Sequence, residues 1–194
     1  MRVFIAVLVL IFSLQSWTKA DDISDFQVLG MSVGDSALNY FSENEINQFK
    51  YGFESKLFAY VNIEKNKLED FNDGFILIKP KDKNFLIHSI VVRKFFNDNI
   101  IKCYKEQNKT VKDLLNILES ANESDKKTYA YSADKSGKST VTTINLKFDD
   151  GSSAHIGCYN MNKEYLKEND FNPETALLSI SVNSKVYYNW QLSR

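Results

Sequence analysis

The sequence predicts an α+β fold, an antiparallel β-sheet with two to three helices packed against it. Three observations carry that expectation. Apolar residues recur with a period of two in one run after another, short turns rich in Asn, Asp and Gly join those runs, and few segments show the 3.6-residue spacing of a helix. Short connections favour antiparallel pairing, because a parallel pair needs a crossover of a dozen residues or more.

The first twenty residues stand apart. Arg2 precedes an apolar run over 3–14 that only Ser13 interrupts, and a polar stretch follows, ending Thr18-Lys19-Ala20. This is the layout of a secretory signal peptide. A helical run of about 12 residues reaches roughly 18 Å, short of the ~30 Å hydrocarbon core that a stable span requires. We therefore expect residues 1–20 to be a signal peptide, cleaved between Ala20 and Asp21. Residues 21–194 then form a single mature domain, periplasmic or secreted, with no stable membrane span.

Of 24 basic side chains, Arg2 and Lys19 leave with the signal, so 22 face 25 acidic ones and the mature formal charge is −3. Nucleic-acid binding usually rests on a strong basic excess, which is missing. Cys103 and Cys158 make an even pair in a compartment that permits disulfides. Each stands in an Ile-x-Cys-Tyr context, as if two neighbouring strands presented them side by side. A disulfide between them is expected, worth about 4 kcal/mol by the loop-entropy account; the alternative is two buried, reduced thiols.

Element by element, Ser32 with Asp35 three residues on has the arrangement of a capping box, and Ala37, Leu38 and Phe41 follow at helical spacing, predicting a first helix over 33–48. Strands are expected over 53–63, 75–78 and 85–96, with Asn72-Asp73-Gly74 as a turn, and a further short strand over 100–105 carrying Cys103. Thr110 and Asp113 then cap the clearest helix, whose Val111, Leu114, Leu115 and Leu118 fall at i, i+3, i+4 and i+7. Beyond it lie strands over 128–133 and 139–148, a turn over 134–138, and the hairpin turn Asp149-Asp150-Gly151 into a strand over 154–159. The polar stretch 161–175 reads as a long loop. Leu178, Ile180 and Val182 alternate as a last strand, and Ser184 caps a short terminal helix with Val186 and Trp190 on one side. The order divides into two halves of similar element order.

Several motifs resemble reaction centres and fall short of them. Residues 132–139, ending Gly137-Lys138-Ser139, approach the phosphate-binding P-loop, but Ser132 stands where the first glycine belongs and the β-branched residues at 140–143 follow where a helix N-terminus is needed. Gly34-Asp35-Ser36 resembles the nucleophile block of GDSL-type esterases, yet neither His88 nor His155 stands in the Asp-x-x-His block those enzymes require. Ser36 is expected in the first turn of a capped helix. A thiol hydrolase would need Cys103 or Cys158 free beside His88 or His155. His88 alternates with Leu86 and Ile90 and reads as a satisfied core histidine; His155, beside a turn, reads as a surface or edge residue. Asp134, Asp149 and Asp150 match no EF-hand spacing. Asn108-Lys109-Thr110 and Asn122-Glu123-Ser124 fit the glycosylation pattern, which matters only in a eukaryotic secretory pathway.

Taken together, the stretch from Gly30-Met31-Ser32 through Gly34-Asp35-Ser36, then Cys103-Tyr104, the turn from Asp134 to Ser139, and Cys158-Tyr159 resemble a family of small exported proteins from AT-rich, alphaproteobacterial-type genomes. That resemblance implies no particular activity. The Gly-Met-Ser turn followed by antiparallel strands is also similar to SmpA/OmlA envelope proteins and β-lactamase-inhibitor-like domains, which implies binding to another protein. The chain lacks the lipidated cysteine of the envelope factors. The expectation is thus an exported, non-catalytic protein that binds another protein or an envelope component, with no catalytic residue, metal or cofactor assigned. The alternatives are an exported hydrolase using Ser36 or a free cysteine, and a small-molecule binder using Tyr129, Tyr131 and Tyr159, rings that otherwise simply pack on the sheet.

Overall fold

A computed structural model describes residue 23 and residues 26–51, 56–118 and 121–194. The signal segment, the junction of Ala20 and Asp21, and the start of the strand expected over 53–63 lie outside the described residues.

The described residues lead with a hairpin of β1 (Gln27–Val28) and β2 (Met31–Ser32), a 3-10 turn at Ala37–Asn39 and the short helix α1 (Glu43–Asn47). β3 (Ala59–Asn62), β4 (Asp73–Ile78) and β5 (Ile87–Phe95) lead into the long helix α2 (Ile100–Ile117). β6 (Asn122–Glu123), β7 (Lys127–Ala130), β8 (Thr140–Lys147) and β9 (Ser153–Asn160) follow, then α3 (Lys163–Glu168), β10 (Ala176–Asn183) and α4 (Lys185–Leu192). Among the described residues β3 to β10 make one eight-stranded sheet in the order β3-β4-β5-β10-β9-β8, with β6 and β7 both on the outer side of β8. Every pairing is antiparallel. The fold is the α+β arrangement that the periodicities predict: two three-stranded meanders, β3-β4-β5 and β8-β9-β10, meet at the seam between β5 and β10.

Side chains paired across antiparallel strands share a face, so the register sorts the sheet. One row crosses five strands as Ile76, Ile90, Val182, Ala154 and Leu146, and the next as Val92, Ile180, Ile156 and Ile144. All are buried. This apolar back is covered at the β4–β5 end by Val28, Met31, Val33, Ala37, Phe41 and Ile46 of the N-terminal segment. Over β9 and β10 it is covered by α2, which buries Cys103, Gln107, Val111 and Leu114.

Gln107 has no exposure. Its Nε2 donates to the Thr142 and Ile156 carbonyls, both at 2.8 Å, and stitches α2 to β8 and β9. The disulfide between Cys103 and Cys158 ties the same helix to β9, with Cα atoms 6.0 Å apart.

The structure corrects three elements. The segment 100–105 is not a strand but the first turns of α2, so the disulfide joins a helix to a strand. Its β-branched residues misled the reading, whereas Ile100, Cys103, Gln107, Val111 and Leu114 keep a helical period; Asn99 caps the helix by accepting from Lys102 N at 3.0 Å. The expected helix over 33–48 is broken up. Gly34 has φ +95°, and the Asp35 carboxylate accepts from Ser32 N at 2.9 Å, closing a turn instead of starting a helix. The capping box falls at Ser42 and Glu45, and only α1 grows from it. The loop expected over 161–175 contains α3, capped by Asn162.

Candidate functional site

The opposite face of the sheet is built from the intervening residues. Its central row runs Phe75, Val91, Ser181, His155, Asn145, flanked by rows through Leu77, Ser89, Asn183, Ser153 and through Arg93, Ser179, Gly157, Thr143. Where the back carries Ile, Val and Leu, this face carries Ser, Asn and His. α4 rises along one side and contributes Tyr187, Tyr188 and Gln191; the strand β7 and the turn after it raise Tyr129 and Tyr131 on the other. The space between is a cavity of about 450 Å³, within the range of small-molecule sites.

The floor is wired by neutral hydrogen bonds. Asn183, 1% exposed, accepts from Ser89 Oγ at 2.7 Å and donates Nδ2 to Ser181 Oγ at 3.2 Å and Ser153 Oγ at 3.4 Å. His155 Nδ1 bonds Asn145 Oδ1 at 2.7 Å. An amide oxygen can only accept, so Nδ1 carries the proton and Nε2 is left as an acceptor. Burial lowers the imidazole's pKa, which keeps the ring neutral. Nε2 lies over Gly157, 3.1 Å from where a Cβ on that glycine would stand, and Tyr159 Cε2 approaches the same point to 3.1 Å. Gly157 is therefore a gap in the floor over which two rings lean.

The walls are tyrosines. Tyr131 meets Tyr159 edge-on at 5.8 Å and Tyr165 at 6.0 Å, while Tyr129 is 50% exposed. Burial, then the neighbouring Tyr131, pushes the Tyr159 hydroxyl up to about 12. Arg93 is the cationic side chain at the margin, and it is already paired with Asp73 at 3.0 Å and laid over the Phe75 ring at 5.0 Å.

The three tyrosines that the sequence offers as binder residues, Tyr129, Tyr131 and Tyr159, thus come together on one cavity. His155 does not lie at an edge: β9 is an interior strand and the ring stands mid-floor. The serines and asparagines of the floor escaped the sequence reading, although their alternation with Leu178, Ile180 and Val182 is visible in β10.

The other candidates disperse. His88 is buried where the register shifts between Leu77 and Ile78, bonded through Nδ1 to Ser184 Oγ at 3.2 Å and edge-on to Phe58. Burial first, then Lys79, lowers its pKa to about 4. Ser36 Oγ donates to the Asn84 carbonyl at 2.8 Å and accepts from Leu38 N, a cap rather than a nucleophile. Both cysteines are bonded to each other.

The P-loop-like turn is occupied by its own carboxylate. Asp134 accepts from Ser136 N, Ser139 N and Ser139 Oγ, which hold it down at about 2, and a strand follows. Asp134 and the Asp149-Asp150 pair flank opposite ends of β8. Among the described residues no group of three or more His, Cys, Asp or Glu side chains is placed to hold a metal ion, and no helix is long and apolar enough to cross a membrane.

Comparison with protein-family models, with curated proteins and with solved structures returns no match to the chain.

Proposed function

We propose that this chain is an exported binding protein whose open sheet face captures a small polar ligand. The observation that carries the reading is the cavity itself: a floor of small neutral hydrogen-bonding side chains, pre-arranged by the network around Asn183 and His155, between two walls of tyrosine. Ligand sites combine a formed concavity with a few convergent polar groups, and here the polar groups of the floor come from strands while α4, β7 and the turn after β7 raise the walls. A binding role rather than catalysis is supported by how the chemical groups are spent: both thiols in a disulfide, Ser36 in a cap, and His155 Nδ1 on Asn145.

Export is supported by the signal-like segment together with the disulfide, since such bonds persist in oxidising compartments. An envelope protein is the second reading for the partner, and rests on the Gly30-Met31-Ser32 resemblance.

The test is a thermal-shift screen of residues 21–194 against neutral sugars, amino acids, nucleosides and carboxylic acids, paired with N-terminal sequencing of the protein secreted by its producer. A ligand that raises the melting temperature, and does so no longer when Ser181 is replaced by Val, supports the reading, as does a mature N-terminus at Asp21. A flat response to every class would overturn the ligand-binding function. A retained N-terminal segment would overturn export.

A further inference from the structure

Resting on the proposed binding reading, we infer that the ligand is a neutral saccharide, a pyranose ring set against the tyrosine wall with its hydroxyls on the serine and histidine floor. The charge of the site selects against the other classes. An amino acid needs a carboxylate for its ammonium and a free cation for its carboxyl group; no acidic side chain lines the cavity, and Arg93 is committed to Asp73 at 3.0 Å. A phosphate or carboxylate ligand meets the same lack of an uncommitted cation. A lipid tail would bury Ser179, Ser181 and Asn145 against hydrocarbon, and stripping water from such groups without replacing their hydrogen bonds is costly.

What the floor offers is paired donors and acceptors. His155 Nε2 accepts only, and within the described residues it has no partner; it calls for a hydroxyl that donates. Asn145 keeps its Nδ2 free to donate, because its oxygen is taken by His155. Ser179 has a hydroxyl that can turn either way and makes no hydrogen bond within the described residues. A polyol presents alternating donors and acceptors of this kind, without charge.

The walls supply the other half of sugar recognition. The C–H faces of a pyranose are apolar and flat enough to lie on an aromatic ring, and Tyr129 offers one that is half exposed beside Tyr131 and Tyr159. The missing side chain at Gly157 lets the His155 and Tyr159 rings settle onto the floor, each 3.1 Å from where a Cβ would stand.

The experiment is isothermal titration of residues 21–194 with maltose, cellobiose and chitobiose, with glucuronic acid, glycine and adenosine alongside. Variants Tyr129→Ala and Ser181→Val are titrated in parallel, and circular dichroism confirms that each folds. Tyr129 is exposed enough that its truncation leaves the core intact. The expected result is saturable binding of at least one neutral disaccharide, weakened tenfold or more by each variant, with no binding of glucuronic acid or glycine. If adenosine or a charged ligand binds instead and is lost in the same variants, the saccharide inference falls while the site stands. If nothing binds, or binding ignores both variants, the site itself is wrong and the saccharide inference goes with it.

Discussion

Gly157 sits at the point of the floor where the least can be added. A Cβ there would meet His155 Nε2 and Tyr159 Cε2 at 3.1 Å each, tighter than ordinary contact. Gly157→Ala should cost roughly 1–3 kcal/mol, as overpacking does, and displace both rings from their places on the cavity. Urea melts and ligand titration on the same preparation measure the two effects, and unchanged rings and affinity would remove Gly157 from the site. The histidines set the pH response. The folded His88 titrates at about 4, below its ordinary 6.5, so as pH falls through 6.5 the unfolded chain takes up its proton first. The stability this neutral ring contributes is full above about 6.5, is lost between 6.5 and 4, and His155 acts in the same direction. At 1.36 kcal/mol per pKa unit, His88 alone should remove about 2 kcal/mol between pH 7 and pH 5. His88→Gln should flatten that slope in urea midpoints, and an unaltered slope would show that the burial of His88 is not its source.

Among the elements, α2 shows both what a sequence reveals and what it hides. Its second half, with Val111, Leu114 and Leu118 in one stripe, is legible; its first half is disguised by Ile100 and Ile101, and the polar Asn97-Asp98-Asn99 that looks like an interruption is the cap. The strands were easier, because the runs rich in aromatic and β-branched residues at 75–78 and 87–95 and the alternation at 176–183 mark them whatever lies around them. The helix expected over 33–48 failed for a local reason, an Asp35 side chain that bonds backward to Ser32 rather than capping forward. Because α2 is fastened by one covalent bond across a 55-residue separation, replacing Cys103 and Cys158 together by Ala should lower stability by about 3–4 kcal/mol. The wild type in reductant should approach the same denaturation midpoint. If the two curves with and without reductant coincide, the bridge contributes nothing and α2 is held by Gln107 and its apolar stripe alone.

For the molecule as a whole, the sheet runs unbroken from β3 to the strands beside β8, and both meanders share one apolar back. Residues 21–194 should therefore melt as one unit in a calorimeter, with van't Hoff and calorimetric enthalpies equal; two resolved transitions would mean the meanders are separate cooperative bodies. The site was only half legible because it is assembled at this scale. Asn145 and His155 are partners across the Asp149-Asp150-Gly151 hairpin, so their pairing follows from a recognisable turn. Ser89 and Asn183 are 94 positions apart, and nothing local says that β10 returns to lie between β5 and β9. The polar alternation in β10 was visible, but whether that face met bulk water or a walled hollow depended on where α4 came to rest.

The seating of α4 has an optical consequence. The sequence holds two tryptophans, Trp17 and Trp190, and loss of residues 1–20 leaves Trp190 as the sole indole. It is stacked on Tyr187 at 5.5 Å and edge-on to Phe58 at 5.1 Å, on the helix that forms one wall of the cavity. A protein cleaved after Ala20 would thus carry one indole, packed on Tyr187 of the helix that walls the cavity. Excited at wavelengths its ten tyrosines do not absorb, that indole reports the helix without a label.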